Sequence, residues 1–553
     1  MKHQAMEVSQ GVLKRLSHPI PNAVLWILGL GFLLRMAIAV WLPPGFDEAY
    51  YYLYTQHPDL SFFDHPPLVA ISTAVGLWLS GEQVTPLTIR LGALLLHTAT
   101  LYLLYLTGKR LFSEAAGRLT LVFATIAPIC LVAFGVMTLP DAPLMFFWTA
   151  TLWGAAEEFF PQRSQPYRPT YRLAILGILI GLACISKYHG FLLGVGLVGF
   201  CLTSADHRKA LGSPWAWISF ALWFLILYPV LYWNAQHDWI SFTFQAGRGV
   251  PASQFSFDRL FSTWGQTVLY LFPTIGLPLW WVSLRVLIAQ LLSPWVQRLR
   301  DSHRDLRLKQ RLVLWLSAPV FLLFTAIGGY RQVLPTWTLP GLFIALLLLG
   351  QKAAVWQQRS PKTVQRWWQG SAIVITSLLL MALSHVAFGT LQRPSQTALL
   401  GGLIPIQQDA SIQLVDIQQL RDRVSQSPSL MQTLKQSDFV FSNRFHLAGH
   451  IAMALTPLHP TPVTCFDKRD MRGFSYWSQA TDWLGKDGLY LTSQQFQTRE
   501  DSAAEYRPYF KTFTKLAELP LYRGGVEVDR FHVYLGQQML QPFPRPIEGS
   551  RGA

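Results

Sequence analysis

The sequence predicts a polytopic α-helical membrane protein of about 11 spans that carries a soluble α/β domain at its C-terminal end. Three observations support this class: 51% of the 553 residues are hydrophobic, only 14% are charged, and long apolar segments recur throughout residues 1–392. Soluble globular domains usually contain about 25% charged residues. The high apolar content also excludes a disordered chain.

The membrane spans are predicted from the length of the apolar segments. A helix that crosses the hydrocarbon core of a bilayer needs about 20 predominantly apolar residues. The candidate spans are 23–42, 84–107, 115–137, 143–159, 172–186, 190–203, 214–233, 263–290, 312–328, 335–350 and 371–391. Because this number is odd, the two ends of the predicted membrane region lie on opposite sides of the bilayer.

The net charge of +15 fits a membrane protein better than a nucleic-acid-binding protein. A nucleic-acid-binding surface requires a basic patch on a soluble face, whereas these cations cluster beside alternate span ends. The opposite loops are nearly free of them, and residues 43–83 contain no Lys or Arg. This asymmetry indicates a cytoplasmic N-terminus, and no nucleic-acid partner is expected. The orienting cations are Lys14, Arg15, Lys109, Arg110, Arg118, Arg163, Arg168, Arg172, Arg208, Lys209, Arg298, Arg300, Arg304, Arg307, Lys309, Arg311, Lys352, Arg359, Lys362 and Arg366.

The chain is predicted to divide into a transmembrane catalytic domain, residues 1–392, and an extracytoplasmic α/β domain, residues 393–553. The second part has ordinary polarity and short alternating apolar runs such as Phe439-Val440-Phe441, which are typical of strands. Its length suffices for one compact domain.

Ionisable side chains collect in the loops on the non-cytoplasmic side. Such residues at membrane level are costly and are therefore candidates for function. A carboxylate there can act as a general base on a hydroxyl acceptor, and nearby cations can stabilise a phosphate leaving group. A lipid-linked phospho-sugar would bring such a phosphate to this depth. The candidates are Asp47, Glu48, Asp64, His65, Asp141, Lys187, Tyr188, His189, Arg248 and Arg331.

Each of these residues also has a purely structural interpretation. The acidic pair Asp47-Glu48 could simply begin an interfacial helix, because acidic side chains favour helix N-termini. Lys187 could extend to the interface as an anchor. The nearby tyrosines 50–52 and 54 are expected to form an interfacial aromatic belt, and Arg90, inside a span, to hydrogen-bond neighbouring helices.

Five short motifs, in this order and topology, carry a family resemblance. Together they resemble the GT-C membrane glycosyltransferases, specifically the protein O-mannosyltransferase-like and lipid A aminoarabinose transferase-like branch. The motifs are Asp47-Glu48-Ala49-Tyr50-Tyr51, Phe62-Phe63-Asp64-His65-Pro66-Pro67-Leu68, Leu139-Pro140-Asp141-Ala142-Pro143, Ser186-Lys187-Tyr188-His189-Gly190 and the tryptophan-containing segment from Val333 to Leu342.

The resemblance implies an inverting transfer of a sugar from a polyprenyl-phosphate donor to an acceptor on the non-cytoplasmic side. By motif, Asp47 is the expected catalytic base, Glu48 lies beside it, and Asp141 matches the family's second acidic catalytic site. Asp64, Tyr188 and His189 are expected around the site. The expected donor-phosphate ligands are His65 and Lys187, from the motifs, and Arg248 and Arg331, which are placed by topology more than by motif.

Several points stay open at this stage. The acceptor can be a lipid, a protein or a glycan, and the sugar a hexose or a pentose. No nucleotide cofactor is expected, because the sequence contains no phosphate-binding glycine loop; if a divalent metal is used, Asp47, Asp64 and His65 are its candidate ligands. A bacterial inner membrane is the expected location. The alternatives are a transporter or lipid flippase, and an anchored binding protein.

Overall fold

The computed structural model describes residues 20–161, 166–249, 254–296, 304–496 and 503–546. Five of the orienting cations lie outside the described residues: Lys14, Arg15, Arg163, Arg298 and Arg300.

The first part of the chain is a bundle of helices, several of which are long enough to cross a membrane. Their bounds are α1 Asn22–Trp41, α2 Phe46–Gln56, α3 Leu68–Leu79, α4 Leu91–Leu111, α5 Glu114–Ile126, α6 Pro128–Leu131, α7 Asp141–Phe159, α8 Arg172–Cys184, α9 Phe191–Thr203, α10 Pro214–Gln236, α11 Ile240–Gly249, α12 Phe257–Leu271, α13 Pro273–Val296, α14 Arg304–Trp315, α15 Ala318–Ile327, α16 Pro335–Arg359 and α17 Pro361–Phe388.

Within the described residues, six helices are long and apolar enough to span a bilayer: α1, α4 with the turn before it, α10, α13, α16 and α17. Helices α14 and α15 pass the same test as one span bent by 42°. Helices α8 and α9 are apolar but shorter. The multi-pass helical architecture is therefore confirmed, while the count of eleven stays a prediction.

The predicted continuous span 263–290 is wrong, because the structure divides it into α12 and α13. Phe272 between them has a φ of 70°, a left-handed conformation that ends a helix. Pro273 then begins α13, as a residue without an N–H group can at the first helical position. The predicted span 115–137 is likewise interrupted before Pro128, after which only the short α6 follows.

The C-terminal part contains a five-stranded mixed sheet in the order β4-β3-β5-β7-β6. Strands β4, β3 and β5 run parallel, whereas β7 is antiparallel to both β5 and β6. The division of the chain at 392/393 stays a prediction. The elements are β1 Gln392–Arg393, β2 Ile404–Pro405, α18 Ile417–Ser425, α19 Pro428–Gln436, β3 Phe439–Ser442, α20 Phe445–Leu455, β4 Val463–Cys465, α21 Phe474–Trp477, β5 Gly488–Ser493, β6 Phe510–Arg523 and β7 Val526–Met539.

Helix α2 lies between the bundle and the sheet domain, and it belongs to one hydrophobic cluster with residues of α3 and α18–α20. Gly449 of α20 lies so close to α2 that a Cβ atom there would be 2.3 Å from the Ala49 carbonyl oxygen. The expected tyrosine belt is wrong: residues 50–52 and 54 are at most 4% exposed, because α20 and the bundle cover them. The tyrosines thus join the two parts of the protein.

The close approach at Gly449 makes a specific prediction. Substitution G449A should lower the stability of the protein by about 1–3 kcal/mol, because the new methyl group forces α20 away from the α2 backbone. Thermal unfolding in detergent measures the effect. The matched control is G370A on α17, where a Cβ meets nothing within 4 Å. Equal unfolding temperatures for the two variants would contradict the predicted contact.

Candidate active site

A cavity of about 560 Å³ lies where α2 and the starts of α7, α9 and α16 converge. Seven of the ten predicted site residues line it, whereas Glu48, Asp64 and Arg331 are not among its lining residues. The polar lining side chains are Asp47, Tyr51, His65, Asp141, Lys187, Tyr188, His189, Gln245, Arg248, Thr336 and Arg472. Chain segments more than 400 residues apart therefore meet in this cavity.

Asp47 lies in the first turn of α2, which Gly45 precedes as the N-cap residue. Its side chain is accessible to water through the cavity, yet protein encloses the carboxylate on most sides. This enclosure raises the pKa of Asp47, and the positive charge of Arg472 opposes the rise. A carboxylate with a raised pKa and access to a cavity has the properties of a general base.

Glu48, the next residue, points away from the cavity and is fully buried. Its Oε2 lies 2.6 Å from Nη2 of Arg90, which is equally buried. The backbone N–H groups of Gly45 and Thr138 also donate to it, at 2.9 Å and 3.0 Å. Because both carboxylate oxygens are hydrogen-bonded, Glu48 has a structural role. Of the acidic pair, only Asp47 lines the cavity.

The expectation that Arg90 hydrogen-bonds neighbouring helices is confirmed. Besides Glu48, it donates to the carbonyl oxygens of Ala39, Leu42 and Pro43 at the end of α1.

Asp141 begins α7, and Lys187 lies in the turn before α9. The Lys187 Nζ atom is 2.9 Å from both carboxylate oxygens of Asp141, and both side chains are buried at the cavity wall. An ammonium group has three N–H donors. Two of these are directed to Asp141, which leaves one for a ligand in the cavity.

His65 and His189 line the cavity with buried ring nitrogens. Among the described residues, His65 Nδ1 and His189 Nε2 have no hydrogen-bond partner. Burial lowers the pKa of His65, and the charges of Lys187 and Arg248 lower it further. His65 is therefore neutral at pH 7 and suits hydrogen bonding to a ligand, not the cationic role that a phosphate site first suggests.

Arg248, on α11, places its guanidinium 5.2 Å from the ring centre of Trp337, the tryptophan of the last motif. Burial lowers the pKa of Arg248, and neighbouring Arg472 lowers it further. Arg331 lies outside the cavity lining and donates to the Gly247 carbonyl oxygen at 2.8 Å. Its contact thus supports the end of α11, which carries Arg248.

Asp64 does not line the cavity, but it forms an ion pair with Arg472, which does. Its Oδ2 is 2.9 Å from Nη1 of Arg472, and Tyr54 donates to its other oxygen. Arg472 comes from the loop before α21, has a φ of 46°, and lies 4.1 Å from the ring centre of Phe445. Such backbone strain in a non-glycine residue is characteristic of functional sites. Sequence reasoning missed Arg472, which no local motif marks.

The candidate metal ligands do not assemble. Among the described residues, no group of three His, Cys, Asp or Glu side chains is arranged to hold a metal ion. Asp64 is instead occupied by Arg472 and Tyr54.

Residues 64–233 match the family model described as dolichyl-phosphate-mannose-protein mannosyltransferase. This segment begins within the second motif, at Asp64, and contains the third and fourth motifs. The structure of ArnT from Cupriavidus metallidurans bound to undecaprenyl phosphate superposes with a TM-score of 0.58 at 14% identity, covering 93% of this chain and 98% of that one. The apo form of ArnT gives 0.56 at 13% identity, with coverages of 92% and 97%.

A curated relative is similar over part of its length. Lipid A galacturonosyltransferase RgtD of Rhizobium johnstonii is 26% identical over 324 residues, which cover 56% of this chain and 59% of RgtD. These similarities agree with the resemblance drawn from the motifs: part of the chain is similar to known glycosyltransferases in sequence, and the whole fold is similar to that of ArnT.

The buried ion pair predicts that Glu48 contributes to the stability of the protein. Substitution E48Q should lower stability by roughly 3–5 kcal/mol, because it leaves the Arg90 charge buried without a counter-ion. Thermal unfolding in detergent measures this. The control is E518Q, which removes an exposed carboxylate paired with Lys515 and Arg530 and should leave the unfolding temperature unchanged. If E48Q unfolds like the wild type, Glu48 is not the structural anchor.

Proposed function

We propose that this protein is an inverting glycosyltransferase that moves a sugar from a polyprenyl-phosphate-linked donor to a hydroxyl acceptor on the non-cytoplasmic face of a bacterial inner membrane. The observation that carries the proposal is the meeting of one accessible carboxylate, Asp47, with Lys187, Arg248 and Arg472 in a single cavity. The orientation rests on the cations beside the opposite span ends.

The cations supply the site for the donor phosphate. As the glycosidic bond to phosphate breaks, negative charge grows on the leaving oxygen, and preorganised positive groups stabilise that charge. Lys187 retains one N–H donor toward the cavity. Arg248 adds a guanidinium that can bind two phosphate oxygens at once. The matches to RgtD, and to ArnT bound to undecaprenyl phosphate, support a donor of this lipid class.

Asp47 is the proposed base. It accepts the proton of the acceptor hydroxyl while that oxygen attacks the anomeric carbon from the side opposite the phosphate, which inverts the configuration. No covalent sugar–enzyme intermediate is needed, and one carboxylate suffices. In this mechanism Asp141 orients Lys187. Glu48 makes no contact with the reactants, because its carboxylate is paired with buried Arg90.

The acceptor is proposed to be a lipid, a protein or a glycan, and a lipid is the first to test because RgtD is a lipid A glycosyltransferase. The sheet domain is proposed to be extracytoplasmic and to complete the site through Arg472. A transporter would have no need of a base beside a phosphate site.

The role of Asp47 is tested by D47N, which keeps the size of the side chain and removes the base. Transfer from a polyprenyl-phosphate sugar to membrane-lipid extract should fall by about 10²–10⁴-fold, with donor affinity little changed. Purified protein in detergent, assayed with a radiolabelled donor, provides the measurement. The matched control is D59N, an acid after α2 that is exposed and outside the cavity lining. Full transfer by folded D47N would remove the base assignment.

The role of Arg472 is tested by pH. Because enclosure raises the pKa of Asp47 and Arg472 lowers it, the rate should fall on acidification through a pKa above the ordinary aspartate value. R472Q removes the lowering charge, so the acidic limb should move to higher pH by about one unit.

R472K should restore the wild-type limb, and R469Q, an exposed arginine of the same loop, should not move it. If the acidic limb of the pH–rate profile is unchanged in R472Q, Arg472 does not influence the ionisation of Asp47, whatever the effect of the substitution on stability.

A further inference from the structure

A second polar cavity lies at the opposite end of the bundle from the candidate active site. This inner pocket has a volume of about 520 Å³, and its lining includes Phe159, Tyr167, Arg110, Lys209 and Lys309. Helix α7 carries Asp141 of the active site at one end and Phe159 at the other, a separation of about 27 Å along the helix. The inner pocket therefore opens on the face that the sequence predicts to be cytoplasmic.

The wall of the inner pocket is preorganised by a buried carboxylate. Glu158 is 2% exposed and accepts hydrogen bonds from the Tyr167 hydroxyl at 2.9 Å and from the Thr170 backbone at 2.9 Å. His207 packs beside Tyr167 with ring centres 4.9 Å apart and is hydrogen-bonded to the Phe159 carbonyl. These contacts fix the positions of the aromatic side chains that line the inner pocket.

The charges at the rim favour an anion. The lining carboxylates are already neutralised: Asp206 is 2.9 Å from Arg304, and Asp305 is 2.6 Å from Lys309. Within the described residues, Lys209 is an exposed cation without an ion-pair partner. A basic pocket between transmembrane helices at the cytoplasmic surface is the kind of site that binds anionic lipid head groups.

An apolar groove lies beside the inner pocket along α8, α9 and α10. It has a volume of about 410 Å³ and is bordered by Gly177 and Gly194; it shares Phe159 with the inner pocket and Phe191 with the active-site cavity. Phe220 and Val198 on its border are 59% and 47% exposed, so the groove opens toward the surrounding lipid. A polar pocket joined to such a groove matches a molecule with a charged head and a hydrocarbon tail.

We propose that the inner pocket and this groove together bind one anionic phospholipid, with its phosphate near Lys209 and an acyl chain beside Gly194. The bound lipid fills the groove between α8, α9 and α10 from the face opposite the reaction. The proposal does not depend on the transfer reaction, and its test measures binding alone.

Native mass spectrometry of the full-length protein, incubated with phosphatidylglycerol or with phosphatidylcholine, tests the charge requirement. One phosphatidylglycerol should be retained in preference to phosphatidylcholine, and K209Q should reduce that preference about fivefold. K209Q removes no ion pair, so folding should be preserved. The control is K362Q, an exposed lysine at the start of α17 and outside the pocket. Equal retention of the two lipids, or equal effects of K209Q and K362Q, would overturn the proposal.

The groove is tested by filling it. A Cβ atom on Gly194 meets only Ile180 Cγ2, at an ordinary 3.6 Å, so G194L can occupy the groove without moving the backbone. It should reduce retention of phosphatidylglycerol, whereas G29L on the lipid-facing side of α1, where nothing lies within 4 Å, should not. Equal retention by G194L and wild type would show that no chain lies in the groove. Displacement by equimolar glycerol phosphate would identify a soluble phosphate site instead and would also reject the lipid.

Discussion

The buried ion pair between Glu48 and Arg90 is the interaction on which the rest of the site depends. It joins the end of α1, the start of α2, the turn before α4 and the turn before α7 through seven hydrogen bonds. Removing two charges from water is costly, and the cost is recovered only when every polar atom has a partner. This completeness leaves α2 one position, in which Glu48 faces inward and Asp47 faces the cavity.

Both parts of the protein contribute charged side chains to the cavity. The bundle supplies Asp47 and the Lys187–Asp141 pair, and the sheet domain supplies Arg472. Arg472 is bound to Asp64, 408 positions earlier in the chain, and influences the pKa of Asp47. The sheet domain is therefore part of the site's electrostatics. A change in how it packs against α2 alters the ionisation of the proposed base.

Local patterns in the sequence were sufficient for several elements. Runs of apolar residues predicted α1, α10 and α17 because contact with lipid constrains the composition of each helix independently of its neighbours. The same reasoning failed at 263–290, where the backbone conformation of Phe272 and the missing N–H of Pro273 interrupt an otherwise apolar segment. Hydropathy reflects whether a segment lies in lipid or in water, and it does not detect a break in the hydrogen bonding of a helix.

Composition and the lengths of the apolar segments were enough to predict a multi-pass membrane protein, and the motifs predicted a shared site for Asp47, Asp141 and Lys187. The three-dimensional contacts were needed to show that Asp47, and not Glu48, lines the cavity, that the tyrosines of α2 pack against the C-terminal part of the chain, and that Arg472 lines the same cavity. Exposure to lipid or water acts on each segment locally, whereas the partner of a buried charge is chosen by contacts between residues far apart in the chain.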